Sequence, residues 1–204
     1  AVQVLRALVA LHSRDICHRN VKPKNIFLET NNSVRLIGLG LASCRTAFFS
    51  PHLDAKPIGT PHFMAPEMIR GSYSDPRSDL YSLGITLYVI VTGQTPFEKG
   101  TQHVVMLRHL TDDAVPLPDV RPGLSREFVT FVHTLMTREA ERRYQTARAA
   151  LEAAESLARA TAGMPRAAPE VFARAEAPAA AEPRVYLPPV RRGWLTRPAP
   201  VSAF

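Results

Sequence analysis

Cysteine and long apolar runs are both scarce in this chain. The two cysteines, Cys17 and Cys44, have neither the number nor the spacing of a disulfide scaffold or a zinc site, which favours a reducing compartment. Apolar runs end well before the roughly 20 residues that a membrane span needs, and no secretory leader is recognisable. We therefore expect a cytoplasmic protein without a membrane partner.

Acidic residues are outnumbered, with 18 Asp and Glu against 25 Lys and Arg, so the net charge is +7. An excess of basic residues can indicate nucleic-acid binding, for which the Lys and Arg side chains are clustered on one face of the protein. Here the Lys and Arg residues are spread along the chain, and no basic cluster is interleaved with aromatic residues. We expect no nucleic-acid partner.

Apolar periodicity predicts a mainly α fold with one small β-hairpin. Residues 1–13 repeat at helical spacing, and 78–92 is apolar almost all round, which is typical of a helix in the centre of a domain. Two β-like runs at 26–28 and 34–37 flank an Asn-Asn turn. Further helices are predicted over 101–110, 125–136 and 138–160, and a long surface loop over 38–61.

The composition changes near residue 160. Eight of the 18 prolines fall in 165–204, among alanine and arginine, and such a segment has too few apolar residues to form a packed core. We predict one domain over 1–160 and a disordered tail rich in Ala, Pro and Arg over 161–204.

Six blocks resemble the protein kinase family in order and spacing. The first, H-R-N-V-K-P-K-N at 18–25, is similar to the catalytic loop H-R-D-x-K-P-x-N. The others are I-G-L-G-L-A at 37–42, G-T-P-H-F-M-A-P-E at 59–67, S-D-L-Y-S-L-G at 78–84, T-G-Q-T-P-F at 92–97 and E-R-R-Y at 141–144. The resemblance implies the C-terminal lobe of a kinase fold. It is closer to Ser/Thr kinases, of the bacterial Hanks type, than to tyrosine kinases.

The resemblance assigns structural roles to one set of residues. Asp79 is expected to accept hydrogen bonds from the backbone of the turn at 18–19 and so to hold the loop. Glu67 and Arg143 match an internal ion pair, for which an Arg–carboxylate fork is well suited. Two residues match a packed column beneath the active site: His18 and Leu39.

A second set matches the positions that carry the chemistry. Asn20 stands where the family has the Asp that accepts the substrate proton, and an amide oxygen accepts a hydrogen bond but not a proton. Gly38 stands where the family has the metal-binding Asp, so Asn25 alone would hold magnesium weakly. Lys22 keeps its family identity, and Phe27 matches the floor of the adenine pocket.

Four hydroxyl residues fall in the segment that resembles the activation loop: Ser43, Thr46, Ser50 and Thr60. Arg19 matches the arginine that docks a phosphorylated residue of this loop in many kinases. A phosphorylation switch is one interpretation of these residues, and ordinary loop hydroxyls are the other.

In the family, the helix at 1–13 directly precedes the catalytic loop, so the resemblance implies a C-lobe without its N-lobe. No G-x-G-x-x-G occurs in the 204 residues. We therefore expect weak nucleotide binding by this chain alone. The surface that normally packs on the N-lobe should be exposed and apolar, which favours a protein partner.

These observations predict a catalytically inactive, pseudokinase-like interaction or regulatory module. Its expected partner is a protein, such as another kinase or a substrate protein, and it needs no cofactor, although the family uses Mg-ATP. One alternative is a Ser/Thr kinase whose N-lobe is supplied by a longer product or a partner. Another is a decayed gene product without a selected function.

Overall fold

The computed structural model describes residues 1–44, 59–71, 75–97 and 100–161. The helices in these ranges are α1 Val2–His12, α2 Pro66–Ile69, α3 Pro76–Thr92, α4 Gln102–Thr111, α5 Leu117–Val120, α6 Arg126–Leu135 and α7 Ala147–Thr161. The strands are β1 Ile16–Cys17, β2 Ile26–Leu28, β3 Val34–Leu36 and β4 Ser43–Cys44. Single 3-10 turns lie at Pro23–Asn25, Leu39–Leu41, Pro61–Phe63 and Ala140–Arg142. The predicted tail, beyond residue 161, lies outside the described residues.

The mainly α prediction with one hairpin is confirmed. Strands β2 and β3 form the hairpin as an antiparallel pair, with Ile26 opposite Leu36 and Leu28 opposite Val34. A second pair was not predicted: β1 pairs with β4, with Cys17 opposite Ser43, and β4 lies inside the segment that the sequence predicts as a loop. Strands of two residues are too short to carry a periodic signal.

The helix predicted over 138–160 is wrong in its first nine residues. These residues contain a 3-10 turn, and α7 begins only at Ala147. The buried Arg143 explains the difference, because its backbone is extended and its guanidinium donates to the carbonyl oxygens of Thr137 and Arg138. A continuous helix would not place these two carbonyls around the guanidinium.

Helix α3 lies at the centre of the core. The side chain of its N-cap, Asp75, accepts from the backbone N of Arg77 at 2.8 Å, and the helix ends at Gly93 in a left-handed conformation. Eleven consecutive residues, 78–88, are buried, in agreement with the prediction of a helix that is apolar almost all round. No helix of the described ranges is both long and apolar enough to span a membrane.

Gly84 allows α3 to approach the end of α6 closely. A Cβ atom at this position would lie 2.8 Å from Leu135 Cβ and 2.8 Å from Met136 Cγ. Both neighbours are buried side chains of the core. The crossing of the two helices therefore depends on the missing side chain.

We expect Gly84→Ala to lower the free energy of unfolding by about 1–3 kcal/mol, because an added methyl group must push a packed core apart. Denaturant unfolding measures this. Gly40→Ala is the control, since no described atom lies within 4 Å of its added carbon. Helix propensity alone predicts that alanine raises the free energy of unfolding. A more stable Gly84→Ala variant would therefore show that the helix crossing tolerates the methyl group.

Candidate active-site loop and its supporting contacts

A buried carboxylate holds the turn at His18 and Arg19. Asp79, 1% exposed in the first turn of α3, accepts from the backbone N of Arg19 at 2.7 Å and of His18 at 2.8 Å. Nε2 of His12 lies 2.9 Å from the same carboxylate. Arg19 has a positive φ of 63°, an uncommon conformation that persists only when its surroundings impose it. The predicted contact between Asp79 and this turn is present.

His18 is fully buried, and the hydrogen bonds of its ring define its tautomer. Nδ1 accepts from the backbone N of Asn20 at 3.2 Å, so Nε2 carries the proton and donates to the carbonyl oxygen of Ile37 at 3.0 Å. Burial lowers the pKa of His18, and the nearby charge of Asp79 only partly offsets this effect. The ring is therefore a neutral link between the loop and the residue before Gly38.

Asn20 and Asn25 from one motif and Gly38 from another come together in one cluster. The Asn25 side chain donates through Nδ2 to the carbonyl oxygen of Asn20 at 2.7 Å, and its amide packs against Gly38. Gly38 has a left-handed φ of 90°. The side-chain oxygen of Asn20 is buried and has no hydrogen-bond donor among the described residues. An amide and a glycine thus occupy the two positions at which the kinase-like motifs predict carboxylates.

Lys22 extends from the same loop towards the segment at 59–67. Its Nζ donates to the hydroxyl of Thr60 at 2.6 Å. Burial lowers the pKa of Lys22, and the charge of Lys24 acts in the same direction. The lysine therefore bridges the loop to the segment that resembles the end of the activation loop.

Four apolar side chains are exposed in and around the hairpin and the 3-10 turn after Gly38. They are Phe27, Leu28, Ile37 and Leu39. Leu39 is 51% exposed, because no described residue covers it, whereas His18 of the same predicted column is buried. The assignment of Leu39 to a packed column stays a prediction. Phe27, the predicted adenine-floor residue, is 53% exposed.

Glu67 and Arg143 form the predicted ion pair in fork geometry. Both distances, from Arg143 Nη1 to Glu67 Oε1 and from Nη2 to Oε2, are 2.8 Å. Ser78 donates to the same carboxylate at 2.6 Å. Burial acts to raise the pKa of Glu67, but the hydrogen bonds and charge of Arg143 outweigh it, so the pKa lies below its ordinary value. The pair links α2 to the segment before α7.

The structure describes two of the four predicted phosphorylation residues, Ser43 and Thr60. Ser43 lies in β4, and its hydroxyl is buried without a hydrogen bond to any described residue, which is unfavourable for modification. Thr60 is bonded to Lys22. Thr46 and Ser50 lie outside the described residues. No cluster of three or more His, Cys, Asp or Glu residues suited to a metal occurs in the described ranges.

A cleft of about 400 Å³ lies away from this loop, between α4, α6 and the segment at 138–142. Tyr81 and His109 line it, with the Tyr81 hydroxyl 2.7 Å from His109 Nδ1. The Phe97 ring packs against His109 with centroids 4.6 Å apart. Burial lowers the pKa of His109 to about 4, and the charge of His62 adds to this effect. This pair was not predicted from the sequence, because Tyr81 and His109 lie in different helices and no motif links them.

Protein stability should fall as the pH decreases from about 6.5 to about 4. In this window the unfolded state binds a proton at position 109 that the folded state excludes, so protonation of His109 ceases to destabilise the folded state only above pH 6.5. The free energy of unfolding should change by up to about 1.4 kcal/mol per pH unit. Denaturant unfolding across this range measures the slope, and His109→Gln should reduce it. An equal slope in both proteins would contradict the assignment.

Comparison with known proteins places the loop in context. The family model for the protein kinase domain matches residues 1–154. The chain is 36% identical over 171 residues to the serine/threonine-protein kinase PknB of Mycobacterium leprae, covering 84% of this chain and 27% of PknB. It is 33% identical over 147 residues to the probable serine/threonine-protein kinase CPE1738 of Clostridium perfringens, covering 72% of this chain and 21% of that protein.

The chain thus spans about a quarter of the length of these relatives. The matched region contains all six sequence blocks, the hairpin, α3 and the Glu67–Arg143 pair. The identities lie above 30%, and each alignment covers more than two thirds of this chain. The chain therefore belongs to the protein kinase family and has bacterial serine/threonine kinases among its relatives.

Proposed function

We propose that this chain is a kinase-like C-lobe without phosphotransferase activity, a pseudokinase that acts as a protein-interaction or regulatory module. The observation that carries the proposal is the pair Asn20 and Gly38. The family uses the first position for proton acceptance and the second for magnesium. Neither position has a carboxylate in this sequence.

The first substitution removes the base. The Asn20 amide has no basic oxygen at neutral pH, and positioned proton transfer contributes about 100- to 10,000-fold to a rate. A loose transition state for phosphoryl transfer needs little help from a base, so this change alone would leave slow turnover. The loss of activity therefore depends on the metal position as well.

The residues around Gly38 do not fit a magnesium ion. Magnesium requires hard oxygen ligands, usually one or two carboxylates, in near-octahedral geometry. Gly38 has no side chain, and the Nδ2 group of Asn25 is engaged with the carbonyl of Asn20. What remains at the cluster are the side-chain oxygens of Asn25 and Asn20, two neutral amide oxygens without a carboxylate, and this is too weak a ligand set to hold the ion of Mg-ATP.

Four exposed apolar side chains support a protein partner. Leu28 is 70% exposed, and Phe27, Ile37 and Leu39, which are also exposed, lie near it at the hairpin and the following turn. Exposed apolar surface that forms a patch commonly marks a protein-interaction site. We propose a protein such as another kinase or a substrate protein as the partner.

Titration with Mg-ATP tests the proposal. We expect the melting temperature of the purified chain to stay unchanged up to millimolar Mg-ATP, because only a bound ligand stabilises the folded state. A PknB kinase domain serves as the positive control. A saturable rise in melting temperature that Lys22→Ala removes would contradict the proposal.

The retained Lys22 and Asn25 favour one alternative, a Ser/Thr kinase that transfers phosphate when a Gly-rich N-lobe is supplied. Mixing the chain with a separately expressed N-lobe of a bacterial relative tests this possibility. Phosphate transfer that appears only in the mixture, and that Lys22→Ala abolishes, would support the kinase over the pseudokinase.

A further inference from the structure

We infer that the Asn25 side chain occupies the space that a side chain at position 38 would need, so that Asn25 in its present position excludes a carboxylate from that position. Position 38 then lacks a carboxylate, and the space for one is also filled by the Asn25 amide. This inference goes further than the proposed function, and its test measures stability without any nucleotide.

Asn25 is held from two sides. Its backbone carbonyl oxygen accepts from the backbone N of Ile37 at 2.9 Å, and its side chain donates to the carbonyl oxygen of Asn20 at 2.7 Å. It is 9% exposed. One residue therefore connects Asn20 to Ile37, the residue before Gly38.

The space beside Gly38 is already filled. A Cβ atom at this position would lie 2.6 Å from Asn25 Nδ2, 2.7 Å from Cγ and 2.9 Å from Oδ1. Real Cβ atoms do not approach so closely, because packed atoms do not overlap. Asn25 has a short side chain, and moving it away breaks the hydrogen bond to Asn20. A side chain at 38 and the present position of Asn25 therefore exclude each other.

The inference predicts that restoring a carboxylate by Gly38→Asp alone gives a destabilised protein. The backbone conformation contributes to this cost, because a φ of +90° strains any residue with a Cβ. The test has to separate that strain from the collision with Asn25. The chain offers a matched position: Gly123 has a φ of +89°, and no described atom lies within 4 Å of its Cβ position.

A double-mutant cycle between Gly38→Ala and Asn25→Ala isolates the collision. We expect Gly38→Ala to raise the unfolding equilibrium constant at least tenfold more than Gly123→Ala does. In the Asn25→Ala background, the effect of Gly38→Ala should fall to that of Gly123→Ala. Such rescue requires direct contact, because two independent losses of stability would simply add.

The same effect of Gly38→Ala with and without Asn25 would overturn the inference. If Asn25→Ala does not fold, the cycle is run with Asn25→Ser, which is also shorter than asparagine, and the same two outcomes decide. Asn25→Asp separates volume from hydrogen bonding, because it keeps the size of the side chain but loses the donor to Asn20. It should therefore be destabilised and fail to rescue Gly38→Ala; rescue by Asn25→Asp would also overturn the inference.

Discussion

Replacing Arg143 with alanine is expected to lower the free energy of unfolding by about 3–5 kcal/mol, the usual cost of removing one partner of a buried ion pair. The Arg143 side chain is fully buried, and the Glu67 side chain is 17% exposed. Removal of the guanidinium leaves the Glu67 carboxylate without its main partner. It also leaves the carbonyl oxygens of Arg77, Thr137 and Arg138 without these donors.

Denaturant unfolding measures this loss, and Arg143→Lys is the control for charge. Lysine keeps the positive charge but cannot form the fork or reach all three carbonyls, so it should recover only a minor part of the stability. Full recovery by lysine would show that charge alone matters. Surface pairs contribute little, so removing Arg6, which pairs with Glu155 and is 64% exposed, should change stability by less than about 1 kcal/mol.

Replacing Asp79 with alanine is expected to lower the free energy of unfolding by about 2–6 kcal/mol, because two buried donors left unsatisfied cost about 1–3 kcal/mol each. The backbone N–H groups of His18 and Arg19 both lose their acceptor. Arg19 would also lose the contact that supports its positive φ. The turn should then relax, so the effect reaches the catalytic loop as well as overall stability.

Amide hydrogen exchange at positions 18 and 19 reports the local effect, and denaturant unfolding reports the global one. Asp79→Asn is the matched variant, because it keeps the shape but presents an NH₂ group where the carboxylate accepted. We expect it to lose protection at one of the two amides at least. Unchanged protection at both amides in Asp79→Asn would contradict the role assigned to the carboxylate.

The contacts that support the loop were accessible from the sequence because they depend on residue type at fixed motif positions. The resemblance to kinase motifs assigned these roles to Asp79 and to the Glu67–Arg143 pair, and the chemistry agrees with it, because a buried carboxylate needs donors and a carboxylate suits the fork of a buried arginine. The long apolar run of α3 was equally clear, since no face of that helix is polar enough for solvent.

The remaining features depend on geometry that a motif does not encode. The start of α7 is shifted because the Arg143 guanidinium draws the preceding segment around itself. Leu39 was assigned to the packed column from its motif position, whereas its burial depends on which other residues pack against it. The packing of Asn25 against Gly38 depends on side-chain direction, which residue identity does not specify.

Phosphate transfer from radiolabelled ATP, measured with the purified chain and a generic protein substrate in millimolar magnesium, tests the central claim most directly. We predict no incorporation above that of the Lys22→Ala variant, both into substrate and into the chain itself. The Asn20→Asp and Gly38→Asp double variant should remain equally inactive. Incorporation by the wild-type chain that Lys22→Ala abolishes would contradict the account.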